Sequence, residues 1–475
     1  MKQRKLLPLK IIIYSVLAFF LCVFLCVEIG QMRLPMGKSL TSSFKIASIV
    51  FIYIATLLPF IGLTIWTIRK CGKSKTTYIA LSLFALSYVI RILFADFASN
   101  DYIYFLADWI KEYQSLPIQD CFTVKVGNYA PFYNYFLILF SRIPISSLYL
   151  IKILSFYFEV ITAIVVVKLI AVAKKEQTNP LYLAITLLLA IPLLNSFKWG
   201  QCDVIYSCFA VVGIYFAIRR QSIWCFVMMG LSLSMKMQAL LIYPVVLILL
   251  LCRNSKGEKY LFWRHIWITP LVFVVINIIP VFWGGSLFKV IEIYLDQIFV
   301  GNKGQALWGN CANFFLYTEL IKKTSIWYPI LTFVFIGIVI LSLAFIITRV
   351  CKTKLNQLEI KDVIFLSAFI PMICVFLMPK MLDRYYYIAE VFMFAYLMIS
   401  NEKISKYAYV LLEYGILITY MYYFKILKRF LINTIYYAAS IFTGVAVVLM
   451  TIHFVQNFQS KTDVLPSSTE VQINE

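Results

Sequence analysis

Residues 148–175 read LYLIKILSFYFEVITAIVVVKLIAVAKK. From Leu148 to Ala173 the run is apolar and long enough to cross a bilayer core as one α-helix, which takes about 20 residues. It stops at Lys174 and Lys175, as a helix end does at a cytoplasmic membrane surface, where Lys and Arg accumulate. The acid inside the run, Glu159, is costly at that depth; it is expected to pair with a buried cation or to mark a cavity.

Working outward, the same pattern recurs on both sides. Upstream lie Ile11–Ile29, Ile46–Ile68 and Thr77–Phe94. Downstream lie Leu181–Phe197, Val204–Ile218, Ile223–Met235, Ala239–Cys252 and Ile266–Trp283, then Ile326–Thr348, Val363–Phe376, Tyr385–Ser400, Tyr407–Phe424 and Ile435–Phe454. By length this predicts an all-α polytopic transmembrane bundle of about 13–14 helices. Ile223–Met235 and Ala239–Cys252 are short and read as a broken pair. The first run has no small-residue cleavage site and is read as a retained span.

Charge sets the expected orientation. Lys2, Arg4, Lys5 and Lys10 place the N-terminus in the cytoplasm, and alternation then gathers Arg69, Lys70, Lys73 and Lys75 inside. The same holds for Arg219 and Arg220, for Arg253, Lys256, Lys259 and Arg264, for Arg349, Lys352 and Lys354, and for Lys403 and Lys406. Arg33, Lys38, Lys45, Lys425, Lys428 and Arg429 fall on the other side. Pro131–Ile143 is too short to span and is laid on the outer surface. The outward loop from Ala95 to Ser147 carries Asp96, Asp101, Asp108, Glu112 and Asp120. Asp101, Phe105, Asp108, Trp109 and Glu112 recur at helical spacing, so Asp101–Gln114 reads as an amphipathic helix at the interface. A second outward loop runs from Gly284 to Thr324.

The bulk numbers agree. The chain of 475 residues is 62% hydrophobic and only 14% charged, and no soluble domain can cover that much apolar surface. The formal net charge of +21 is explained by basic cytoplasmic loops, and no soluble basic face suggests nucleic acid. The eleven cysteines form no CxxC pair and mostly read as small apolar residues. Cys121 and Cys311 fall in outward loops and could pair. His265 and His453 have no metal-ligand spacing around them, so neither a metal nor another cofactor is expected.

Four clusters could carry chemistry. Asp101, with Asn128, Tyr129 and Tyr133 at the far end of its loop, could act as a general base on a hydroxyl; it could equally be a solvated acid on an amphipathic helix. Trp199, Gly200, Gln201 and Asp203 form a tight turn that could hold sugar hydroxyls, or Asp203 could simply cap the next helix. Lys236, followed by Gln238, lies between two short apolar segments and needs an anion or a wet cavity. Lys380, Asp383, Arg384 and Tyr385 open a helix; Arg384 could pair with Asp383 or fork onto phosphate.

In this order the clusters resemble the GT-C superfamily of membrane glycosyltransferases, and most of all the bacterial relatives of the second mannosyltransferase of GPI-anchor assembly. Asp101, Tyr102, Phe105 and Trp109 match an acidic residue before an aromatic-rich outward helix. Tyr129 to Tyr133 match a Tyr-Pro-Pro-Leu-Tyr-like stretch, with Ala130 in place of the first proline. Trp199, Gly200, Gln201 and Asp203 match Trp-Gly-Gln-x-Asp. Lys236, Gln238 and Pro244 match a Lys-x-Gln element. Pro379, Lys380, Met381, Arg384 and Tyr385 match Pro-Lys-Met-His-Glu-Arg-Tyr, with Leu382 and Asp383 in place of His-Glu.

The resemblance implies an inverting hexosyltransferase, mannose-like, of the bacterial plasma membrane. Its donor would be a polyprenyl-phosphate-linked sugar and its acceptor a glycan or glycolipid on the outer face. Asp101 would be the base, and Lys236 and Arg384 the partners of the departing phosphate. The implied organisation is a two-helix extension over 1–76, a GT-C-like core over 77–400, C-terminal membrane helices over 401–455 and a disordered tail over 456–475. The alternative class is a polysaccharide flippase or other transporter, which would line its helices with charge at the midplane rather than concentrate it at their outward ends.

Overall fold

The computed structural model describes residues 42–295, 307–318, 325–352, 356–424, 426 and 432–463. The first apolar run lies outside the described residues, as do Arg33, Lys38, Lys354, Lys425, Lys428, Arg429 and part of the second outward loop.

Described residues form an all-α polytopic bundle in which helices run alternately between two ends. Seven of these helices are long and apolar enough to cross a membrane: Lys45–Cys71, Lys75–Phe94, Ser147–Lys174, Trp263–Phe282, Trp327–Cys351, Ile360–Leu377 and Thr434–Phe458. Several further apolar runs read from the sequence are shorter helices or broken ones. Leu181–Phe197 is a pair, Pro180–Thr186 and Ala190–Trp199, bent by 55°. Pro192 lacks the N–H that would bond to Leu188, and its ring crowds that turn. At the break the Leu187 carbonyl is taken up by Ser87 Oγ at 3.0 Å and Arg91 Nη2 at 3.1 Å. The broken pair expected around Lys236 is also present: Ser222–Met235 ends at an extended Lys236 (φ −163°, ψ 139°) before a 3₁₀ turn, Met237–Ile242, leads into Tyr243–Leu251.

Lipid-facing surface is apolar, as on Phe333, Leu341 and Phe345 of the Trp327–Cys351 helix, because hydrocarbon rather than water covers it. One acid in the longest apolar run is matched by a buried cation. Glu159 pairs with Arg91 and also accepts from Ser196. The Ser42–Cys71 helix packs into the same core, with Phe60 stacked on Phe156 at 5.6 Å.

The basic loops meet at one end. Lys70 bonds Thr178, Arg220 pairs with Glu258 at 2.7 Å, and the two-residue strands Arg253–Asn254 and Gln357–Leu358 pair in parallel. At the other end a wide π-turn, Tyr102–Leu106, leads into the helix Ala107–Ser115. This element buries Leu106, Ile110 and Tyr113 and exposes Ile103, Tyr104 and Phe105, as an interfacial helix does. Pro131–Phe140 is a ten-residue helix whose Tyr133, Asn134, Leu137 and Ile138 are buried, so it is wedged into the bundle rather than laid on it. Two details differ from the sequence reading. Cys121 and Cys311 are buried and unbridged; the Cys121 thiol instead donates to the Pro117 carbonyl at 3.4 Å. The final helix runs on to Asp463, past the point where a disordered tail was expected, because Phe458 still packs in the core.

Candidate active site

The end of the bundle opposite the basic loops holds a cavity of about 830 Å³. Asp101 sits on its wall because the turn after the Lys75–Phe94 helix is braced from behind. Lys152 Nζ, buried, donates to the carbonyls of Phe94 (2.5 Å), Ala95 (2.9 Å) and Phe97 (2.8 Å). Ser99 Oγ then ties the turn to the Trp199 carbonyl at 2.8 Å. The facing turn is shaped by the π-helix Leu194–Trp199 and by Gly200 at φ 74°, a left-handed conformation that glycine adopts without strain. Lys198 lies behind it within 4.6–4.9 Å of the rings of Phe94, Phe97 and Phe424, a cation-π brace.

These two turns meet on one carboxylate. Asp101 Oδ2 accepts from Trp199 Nε1 at 3.1 Å, from Arg384 Nη1 at 2.8 Å and from Gln201 Nε2. Among the described residues Oδ1 has a single long partner, the Tyr423 hydroxyl at 3.3 Å. One oxygen is therefore saturated and the other retains lone-pair capacity. The neighbouring carboxylate, Asp203, is fully buried; its Oδ1 accepts from Lys236 Nζ at 2.5 Å and its Oδ2 forms an ion pair with Arg384 Nε at 3.5 Å. Asp203 thus serves cations, not the helix amides, and the capping reading falls. Arg384 bridges the two acids. Burial alone would lower its pKa, but Asp203 and Asp101 hold it well above the usual guanidinium value.

The sequence left Arg384 open to pairing with Asp383 or forking onto phosphate. The structure joins them differently: Asp383 accepts the backbone N–H of Arg384 at 2.8 Å, which leaves the guanidinium to turn toward Asp101. Burial pushes the Asp383 carboxyl up to about 6. Tyr129 donates to Gln201 Oε1 at 3.4 Å and its loop is held by Asn134, whose Nδ2 donates to the Tyr129 carbonyl at 3.3 Å. Asn128, Gln238, Lys380 and Tyr385 line the cavity; the ring of Tyr385 lies 5.2 Å from Lys236 Nζ. Tyr133 is buried behind the wall, edge-on to Tyr129 at 5.1 Å. Asp96 bonds Tyr149, and Asp108 pairs with Lys111 on the exposed face; neither lines the cavity.

One site residue had no sequence signal. Tyr423 ends the helix Lys403–Tyr423 and stacks on Trp199 with centroids 3.9 Å apart, beyond the part of the chain that carried motifs. Leu240, Leu241, Ile336, Ile340 and Leu343 give the same cavity an apolar part of its lining. Among the described residues no His, Cys, Asp or Glu grouping suits a metal ion.

Carboxylates, cations and apolar side chains thus line one cavity together. Residues 128–379, more than half the chain, match the profile of glycosyltransferase family 87. The protein is thus an integral membrane glycosyltransferase, and the transporter alternative loses its footing. The chain belongs to glycosyltransferase family 87. No curated protein matches it.

Proposed function

We propose that this enzyme transfers a hexose from a polyprenyl-phosphate-linked donor to a hydroxyl of a glycan or glycolipid on the outer face of the membrane. The observation that carries the reading is the cavity itself: Asp101 and its polar partners line one cavity with Leu240, Leu241, Ile336 and Ile340. The apolar lining suits an isoprenoid tail, and the polar lining suits a sugar. By the positive-inside rule the basic end faces the cytoplasm, which supports an outward site.

In a single displacement the acceptor oxygen attacks the anomeric carbon while the bond from that carbon to the phosphate oxygen breaks. The acceptor's proton passes to Asp101 Oδ1, the oxygen with capacity left, and the configuration inverts. Arg384, Trp199 and Gln201 fix the carboxylate through Oδ2. Gln238, Asn128, Tyr129 and Tyr385 shape the sugar pocket. The identity of the hexose is proposed as mannose-like on the resemblance to the second GPI mannosyltransferase.

The test is incubation of the purified protein with a panel of polyprenyl-phosphate hexoses and a glycan or glycolipid acceptor. Release of polyprenyl phosphate that depends on Asp101 is expected. Activity only with nucleotide sugars would overturn the donor assignment.

A further inference from the structure

Resting on that reading of the donor, we infer that Lys380 receives the departing phosphate, while Lys236 and Arg384 hold the carboxylates in place. Lys236 and Arg384 are engaged before any ligand arrives. Lys236 is bound to Asp203, and Arg384 is shared between Asp101 and Asp203. Two cations and two acids leave this cluster with little net attraction for an anion. Lys380 differs. It lines the same cavity, and among the described residues its ammonium forms no ion pair and meets only the face of Tyr328 at 5.5 Å.

Its position follows from its backbone. Lys380 has φ 59°, the left-handed region that a residue with a Cβ enters at a cost. The conformation is imposed from the outward loop beneath it. The Lys380 N–H donates to the Leu307 carbonyl at 2.6 Å. Gly309, itself at φ +62°, lies so close that a Cβ there would stand 2.3 Å from the Met381 carbonyl oxygen. Strain of this kind at a cavity wall points to a functional demand on the side chain. Tyr328, which Lys380 touches, is on the helix Trp327–Cys351, and the same helix supplies Thr332, Ile336 and Ile340 to the cavity wall. Lys380 therefore stands where a tail lying along that helix would join a headgroup facing Asp101.

The division of labour balances the transfer. The bond between the anomeric carbon and the phosphate oxygen breaks, and its electron pair stays on the phosphate, whose added negative charge faces the Lys380 ammonium. The bond from the acceptor oxygen to the anomeric carbon forms, and the acceptor proton goes to Asp101. A charge that develops at a fixed, unneutralised ammonium is stabilised more than one at an ammonium already spent on a carboxylate.

The test is equilibrium binding of a polyprenyl monophosphate to the full chain in phosphatidylcholine nanodiscs, with the matching polyprenol as the uncharged control. Wild type should bind the phosphate and scarcely the alcohol. Lys380→Met should weaken phosphate binding by about tenfold or more while leaving the thermal midpoint unchanged, and Lys380→Arg should restore most of it. The charge-neutral double variant Lys236→Met with Asp203→Asn should keep most of the affinity. Wild-type affinity in Lys380→Met, or an equal loss in the double variant, overturns the assignment. Displacement of the probe by equimolar phosphatidylglycerol overturns it too, since the site would then be a general headgroup site. Absence of binding by the wild type would instead defeat the donor reading, and this inference with it.

Discussion

Arg384 and Asp101 are 283 positions apart in the chain, yet Nη1 of one lies 2.8 Å from Oδ2 of the other. The contact orients the carboxylate. It occupies one oxygen, and among the described residues the other keeps only the Tyr423 hydroxyl at 3.3 Å.

Replacing Asp101 by Asn keeps the size and most acceptors but removes the ability to take a proton. Turnover should fall by about 10²–10⁴-fold with donor binding nearly intact. Asp96→Asn and Asp108→Asn should stay active, because Asp96 bonds Tyr149 and Asp108 pairs with Lys111, both away from the cavity. Turnover of all three, measured beside donor affinity, decides it; near wild-type rates in Asp101→Asn would exclude the base role.

The Lys236–Asp203 pair is buried, at 4% and 0% exposure. Removing Asp203 strands the Lys236 ammonium, which costs about 3–5 kcal/mol, and removing Lys236 leaves Asp203 only the longer Arg384 contact at 3.5 Å. Lys236→Met and Asp203→Asn should each lower the thermal midpoint sharply, and the double variant should recover most of the loss. A double variant as unstable as the sum of the singles would show that the two residues act independently.

Asp383 gives a pH signature. Its carboxyl is pushed up to about 6 from an ordinary value of 3.8 by burial. The folded state therefore binds the proton more tightly than the unfolded chain. The resulting stability is present in full below the unfolded value and is lost as pH rises through the folded one, over roughly pH 4 to 6. Asp383→Asn should flatten that limb of the stability curve. Thermal midpoints of both proteins across pH 4 to 8 would show it, and an unchanged slope would refute it.

Gly309 packs against the backbone of Lys380 and Met381 with no room for a side chain. Gly309→Ala should force that loop apart at a cost of about 1–3 kcal/mol. Because it displaces Lys380, which faces the charge developing on the phosphate, turnover should fall as well as donor affinity. A stable Gly309→Ala enzyme with wild-type turnover and donor affinity would speak against the packing argument.

Sidedness can be checked with an impermeant maleimide on intact cells. Lys111 and Glu112 are exposed near the site, whereas Lys73 and Lys256 are exposed at the basic end. Cysteine placed at 111 or 112 should react and cysteine at 73 or 256 should not. The reverse pattern would turn the site toward the cytoplasm. Cys121 and Cys311 are poor reporters because both are buried.

The membrane bundle was legible along the chain because lipid rewards long apolar runs with few charges, and such runs as Leu148–Ala173 need no partner to be recognised. The short, lysine-interrupted stretch at Lys236 was legible too, since an ammonium at membrane depth breaks the pattern by its cost. Single-residue signals identified Asp101, Asp203 and Arg384 as costly charges worth explaining, and Glu159 as needing a cation or a cavity. Which charge meets which was not written there. Arg384 was as free to pair with Asp383 next door as with Asp101, and Asp203 could have been a cap. Only the tertiary structure chose, because ion pairing depends on distances set by how the turns after Phe94, Trp199 and Leu377 pack together. Tyr423 entered the site for the same reason. Its helix packs against the Trp199 turn, and a stacking contact between two aromatic rings leaves no periodicity in the sequence that could announce it.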